Sequence, residues 1–159
     1  MTSDDELILW WGLVHEGYAA VSSLIREDIE SIGLPVAWFE VLLRLSRSPE
    51  HRLPMTQLAG EVEFSSGGFT KLAYRLVSAG LVKRRPCPID GRVTWVSLTP
   101  KGRRKITEAV ERHSVLLRQR VLAVLGADDF ERLGEIMRTL RDAARDAARD
   151  AARESVPAG

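Results

Sequence analysis

A mostly helical chain of the α+β class, carrying one small β-hairpin, is what three features of this sequence predict. Apolar stripes of helical period occupy both ends of the chain. Two short helices joined by a glycine-containing turn lie near its middle, and a period-two segment with an Asp-Gly tip follows them directly. With 159 residues, 45% hydrophobic and 28% charged, the chain is long enough to seal a core and too apolar for wholesale disorder. Its longest uncharged apolar run, Leu7 to Val14, falls far short of a membrane span, so no membrane partner is expected. The acidic start Met1-Thr2-Ser3-Asp4-Asp5-Glu6 is unlike a signal peptide, and a lone cysteine, Cys87, excludes an internal disulfide; both point to the cytoplasm.

The first helix is predicted over 5–32, where Trp11, His15, Tyr18, Ser22, Ile25, Ile29 and Ile32 recur at intervals of three and four. Gly33-Leu34-Pro35 ends it, since glycine suits the left-handed position after a helix and proline cannot continue one. A second helix is expected over 36–46, burying Trp38, Val41, Leu42 and Leu45. The proline-bounded stretch 48–54 reads as loop. Thr56 is placed to cap a third helix reaching about Val62. After the turn Phe64-Ser65-Ser66-Gly67-Gly68, a fourth helix is expected over 67–79. Its apolar side holds Phe69, Leu72, Ala73, Leu76 and Val77, and its polar side Thr70, Lys71, Tyr74, Arg75 and Ser78; Gly80 closes it.

Strands are expected over 81–85 and 93–98, joined by Pro86-Cys87-Pro88-Ile89-Asp90-Gly91, whose last two residues favour a tight tip. Two short helices and a turn followed by a hairpin make the layout of a winged helix-turn-helix. Thr99 and Pro100 then suit the cap and first position of a helix running to about Leu125, with Ile106, Val110, His113 or Ser114, Leu117, Val121 and Leu125 as its stripe. Gly126 ends it. Asp128-Asp129-Phe130-Glu131 has the character of a capping box for the last helix, where Phe130, Leu133, Met137, Leu140 and Ala144 are expected to face inward. From Arg141 an Arg-Asp-Ala-Ala unit occurs three times, pairing each aspartate with an arginine three residues on. Such a tail is either a solvated helix or a surface that packs on a partner subunit.

The formal charge of +1 conceals a strong asymmetry. Residues 1–70 carry 4 basic and 11 acidic side chains, residues 71–105 carry 10 basic and one acidic, and residues 106–159 carry 9 and 10. A net +9 within 35 residues, centred on the fourth helix and the hairpin, is the footprint of a protein that meets polyanions. A recognition helix presents short polar or basic side chains to base edges from its N-terminal half, and Ser65, Ser66, Gly67, Gly68, Thr70, Lys71 and Arg75 fit that description. In the hairpin, Asp90 and Arg92 lie two apart, so on an extended strand they share a side and the carboxylate orients the guanidinium. A narrow minor groove attracts such an arginine.

Gly80-Leu81-Val82-Lys83-Arg84-Arg85, Asp90-Gly91-Arg92 and Leu98-Thr99-Pro100-Lys101-Gly102 together resemble the signature of the MarR family of bacterial transcription regulators, and the element order over 5–140 is similar. The resemblance implies one domain over 1–159, with 5–33 and 100–154 as the helical dimerisation region and 36–99 as the DNA-binding region. It further implies a homodimer on a pseudo-palindromic operator, with Ser65 to Arg75 in the major groove and Arg92 in the minor groove. An arginine commonly follows the Asp-x-Arg of this family; here the residue is Val93. The expected function is a repressor relieved by a small, often aromatic, effector. A protein-interaction module that never binds DNA, and a cysteine-based redox regulator, are the alternatives.

Trp11, His15, Tyr18 and Trp38 are the residues available to line an effector pocket, although aromatic stripes of helical spacing more often build core. Cys87, beside Arg84 and Arg85, is either a reactive thiol or an inert strand-end residue. No metal and no cofactor are expected: His15, His51 and His113 lie in separate elements, and no nucleotide-binding loop or catalytic constellation occurs. The chain does not read as an enzyme.

Overall fold

The computed structural model of the protein describes residues 3–62 and 66–154. Their contacts divide the chain after Leu116 into two units. The first comprises helices α1 (Asp4–Ser31), α2 (Val36–Arg47), α3 (Met55–Glu61) and α4 (Ser66–Ser78), strands β1 (Arg52–Pro54), β2 (Val82–Pro86) and β3 (Thr94–Leu98), and α5, which starts at Pro100.

Helix α1 opens with a capping box. Ser3 Oγ accepts the Glu6 N–H at 3.3 Å, while Glu6 Oε2 accepts the Ser3 N–H at 3.0 Å. These bonds hold the Glu6 carboxyl below its ordinary range, through the Ser3 backbone first and the Ser3 hydroxyl second. Only the last part of α1 enters the core: Ile29 is fully buried, with Ile25 and Ile32 packed against it. In α2 Val41, Leu42 and Leu45 are buried as expected, but Phe39 is buried with them and Trp38 is only half-buried. Helix α3 starts at Met55 with no side-chain cap, so Thr56 sits inside the helix rather than capping it.

The stretch expected to be loop before α3 contains a short 3₁₀ turn, Pro49–His51, and then strand β1. Leu53 pairs with Val96 and Pro54 with Trp95, which makes the hairpin a three-stranded antiparallel sheet of order β1-β3-β2. Prolines at 49 and 54 conceal so short a strand, but at the edge of a sheet proline costs no inward hydrogen bond. In the same register Val82 faces Leu98 and Arg84 faces Val96. Phe69, Leu72, Ala73 and Leu76 of α4 complete the core with Leu58, Val82, Val96, Leu98, Ile106 and Ala109, and among the described residues no polar or charged residue is buried as a whole.

The junction of β3 with α5 is unusually close. Thr99 Oγ1 donates to the Gly80 carbonyl at 2.6 Å and accepts the Gly102 N–H at 3.0 Å, so it caps α5 while holding the end of α4. Gly80 has φ of +70°, the left-handed conformation that ends α4. A Cβ on Gly102 would collide with the Leu81 backbone carbonyl. This is the physical content of the Leu-Thr-x-x-Gly pattern. Further along α5, Arg112 Nε reaches Asp28 Oδ1 of α1 at 2.9 Å, and His113 packs edge-on against Phe39, with ring centroids 5.3 Å apart.

In the second unit a wide helical stretch, Arg118–Leu122, precedes α6 (Ala123–Leu125) and α7 (Ala127–Glu154). The helix expected to run evenly to residue 125 therefore widens, although neither glycine nor proline marks the place. Phe130, Leu133, Met137 and Leu140, expected to face inward, are 37–48% exposed, and Ala144 is exposed too. In the repeat, Asp146 pairs with Arg149 at 3.3 Å as expected, whereas Arg141 pairs with the adjacent Asp142 at 2.8 Å. Both pairs are mostly exposed and contribute at most a few tenths of a kcal/mol. No described helix is long and apolar enough to cross a membrane.

Candidate nucleic-acid interface

Helix α4 presents two chemically distinct sides. Phe69, Leu72, Ala73 and Leu76 are buried, while Lys71, Tyr74 and Arg75 are exposed, as the sequence predicts; Val77, expected to be buried, is 37% exposed. The helix is tied to the sheet from its polar side. The Arg84 guanidinium of β2 lies 5.3 Å from the centre of the Tyr74 ring. Arg84 Nε is buried without a hydrogen-bond partner, so the ring face is the contact that offsets its desolvation.

The wing tip fixes its arginine by a different geometry from the one expected. Residues 90–93 form a turn rather than extended strand, closed by Val93 N–H donating to the Asp90 carbonyl at 2.9 Å. Asp90 Oδ1 accepts both the Arg92 backbone N–H, at 3.0 Å, and its Nε–H, at 3.2 Å. The carboxylate thus orients Arg92 through a local turn, and the guanidinium end projects outward on a side chain 94% exposed.

Arg92 and Thr70 flank one cleft of about 330 Å³, floored by Met55, Ala59 and Phe69. The structure therefore brings together the wing arginine and the first half of α4, with Lys71 and Arg75 exposed further along the helix. Ser66, Gly67 and Gly68 fall in the first turn of α4. Ser65 lies outside the described residues.

The expected effector residues are not gathered into one place within the chain. Trp11, His15 and Tyr18 stand exposed on α1. Trp38 instead lines a cavity of about 360 Å³ with Leu34, Leu81, Lys101, Arg104 and Lys105. Two of these cations are engaged: Lys101 Nζ donates to the Ala79 carbonyl at 2.8 Å and Lys105 Nζ to the Ile32 carbonyl at 2.9 Å, at the ends of α4 and α1. Nothing in the α5 sequence alone announces these bonds, because their partners lie 22 and 73 residues away.

The Cys87 thiol is held below its ordinary pKa by the Asp90 backbone N–H, then by the Trp95 indole and the Ile89 backbone N–H. The cause is this set of donors rather than the neighbouring arginines. Among the described residues no group of three or more His, Cys, Asp or Glu is placed to hold a metal ion.

A helix pair with a polar, basic second helix, followed by a hairpin with an oriented arginine at its tip, defines a winged helix-turn-helix fold. The MarR family model matches residues 32–93, from the end of the first helix to the wing tip. The chain is similar to the transcriptional repressor IacR of Pseudomonas putida, 28% identical over 137 residues covering 86% of this chain and 78% of that protein. Its fold matches that of AbsC, a MarR family transcriptional regulator from Streptomyces coelicolor, with a TM-score of 0.80 at 23% identity over 92% of this chain and 98% of that one. Sco3205 of the same organism, solved in complex with DNA, gives 0.72 at 26% identity over 90% of each chain. A mutant MarR from E. coli complexed with operator DNA gives 0.72 at 26% identity over 87% and 99%. Over its winged-helix segment the chain is therefore similar to MarR family transcriptional regulators, and its fold is theirs.

Proposed function

We propose that the protein is a homodimeric repressor that binds a pseudo-palindromic operator and is released from it by a small-molecule effector. The observation that carries this reading is the shared edge of α4 and the wing, where Thr70 and the Asp90-oriented Arg92 border one cleft. Ser65, Ser66, Gly67, Gly68, Thr70, Lys71 and Arg75 contact the major groove, and Arg92 enters the minor groove. Two copies place two such edges on the two halves of the operator. The solved complexes of relatives with DNA, and the repressor IacR, support DNA over a purely protein partner. In the dimer Trp11, His15 and Tyr18 of α1 have a second chain to close a pocket against, while the cavity beside Trp38 offers apolar walls and a cationic rim to an effector.

Selection of genomic fragments bound by the protein identifies the operator. A gel shift against random duplex at low salt separates this reading from a protein-only module, which would show no shift. Affinity is expected to fall steeply with salt as counterions are released. Arg92→Ala is expected to weaken operator binding by about 1–3 kcal/mol, roughly five- to 150-fold, with the thermal midpoint unchanged. Equal loss of folding would make Arg92 a structural residue.

A second mode of release, oxidation of Cys87, is favoured by the three donors around its sulfur. Peroxide treatment then frees DNA from the native protein and leaves Cys87→Ser bound; identical behaviour of the two discards it.

A further inference from the structure

The sheet that carries the wing has a second face. Strand pairing places Arg52, Ser97 and Lys83 in one row and Pro54, Trp95 and Arg85 in the next, on the side opposite Leu53, Val96 and Val82. An open groove of about 490 Å³ runs over this face, lined chiefly by Glu50, Arg52, Lys83, Arg85, Trp95 and Arg103. Arg52 is already committed: its guanidinium lies 4.8 Å from the centre of the Trp95 ring and bonds Glu50 at 2.7 Å. Lys83, Arg85 and Arg103 are exposed, and none of them forms an ion pair among the described residues. The groove therefore carries three uncompensated positive charges, and its one acid is neutralised from within.

This cationic face continues from the wing tip. Below the tip, β2 ends at Pro86, and Arg85 and Lys83 lie back along that strand, lining one groove with Arg103 of the first turn of α5. A strand rises ~3.3 Å per residue, which puts Lys83 and Arg85 about 7 Å apart, close to two base-pair steps along one strand of a duplex. Its apolar lining is Pro86, Pro88, Leu98 and the Trp95 ring, and Arg52 already covers a face of Trp95, so the exposed cations rather than an apolar anchor dominate the groove. A regularly charged backbone is what this surface fits.

We propose that the outer face of the sheet holds the sugar–phosphate backbone of duplex DNA flanking the operator, so that the DNA bends past the wing tip and along β2. The inference rests on the operator-binding reading above. It assigns the cations of β2 a role apart from base recognition: they extend the bound site and strengthen it independently of sequence.

The test uses the full-length protein and a duplex recovered by genomic selection, first trimmed to the half-sites and then extended by about ten base pairs at each end. Wild type is expected to bind the extended duplex about tenfold more tightly, with a steeper salt dependence. In a variant carrying Lys83→Ala, Arg85→Ala and Arg103→Ala that ratio is expected to fall to about one, with the thermal midpoint unchanged. Extended and trimmed duplexes bound equally by wild type, or a tenfold ratio persisting in the variant, overturns the inference and leaves the operator reading standing. Wild type binding neither duplex overturns the operator reading itself. Should the triple variant unfold, Arg85→Gln alone, at a side chain with no described partner, reads the same ratio; no change there overturns the inference as well.

Discussion

Ile29, near the end of α1, is fully buried, whereas Trp10, Trp11 and Tyr18, earlier on the same helix, are each more than 60% exposed. Leu7 and Ile8 are exposed to the same degree. Both stretches are apolar, and in sequence both read as a face awaiting a core. What separates them is what lies opposite: α2 and α5 supply neighbours to the last turns of α1, and the first turns meet nothing comparable within residues 1–116. An apolar pattern states that a face is to be covered; it does not state by what. The comparison divides this unit into a sealed winged-helix core and an uncovered helical face, and it can be broken from either side.

The largest effect is expected in the sealed part. Gly102→Ala pushes a methyl group into the Leu81 carbonyl, which Thr99 also holds in place, so α5 must move away from the end of α4. Overpacking of this kind costs about 3 kcal/mol, and the thermal midpoint should drop by ~10 °C. A change below about 1 kcal/mol would show that the junction is loose and that the core is not sealed there. Next in size is the uncovered face. Trp10→Gln with Trp11→Gln should leave helix content intact yet weaken self-association by about thirtyfold, or ~2 kcal/mol, in sedimentation over a concentration series. Loss of folding would mean that these residues already belong to a core; an unchanged dimer would place its interface elsewhere.

The same division explains how much was legible beforehand. The winged helix, the helix-ending glycines and the Thr99 cap are written in local periodicity and turn chemistry, and they stand where the sequence puts them. Strand β1 is stabilised by pairing with Val96 and Trp95, more than forty residues on, so three residues between prolines give no local sign of it. The Asp90–Arg92 contact was legible as a pair but not in its geometry, because a turn brings the two together where strand alternation was expected. Trp38 and Phe39 show the limit of periodicity: with Val41, Leu42 and Leu45 buried as expected, two adjacent aromatics both border the stripe, and Phe39 enters the core while Trp38 lines a cavity. For the interface, the cations were visible as a block, but only the sheet register separates Arg84, which turns to Tyr74, from Lys83 and Arg85, which turn outward.

The smallest effect comes from the edge of the sealed core, where α5 meets α1 and α2. His113 packs on Phe39, and its Nδ1 is buried without a hydrogen-bond partner, as is Asp28 Oδ2 nearby on α1. Burial pushes the imidazole below its ordinary pKa; Asp28 opposes this and Arg47 of α2 adds to it. The unfolded chain binds its proton near pH 6.5, whereas the folded chain resists protonation until the pH is lower. Between those two values the unfolded state holds more protons, so stability is full above about pH 6.5 and declines as the pH falls through the folded value. His113→Phe keeps an aromatic ring against Phe39 and removes the titration. Urea midpoints should therefore differ between wild type and variant by a constant amount above pH 7, with wild type losing ground below pH 6.5. Parallel curves down to pH 5 would mean that water reaches this ring freely, and the boundary of the sealed region would then run inside His113 rather than through it.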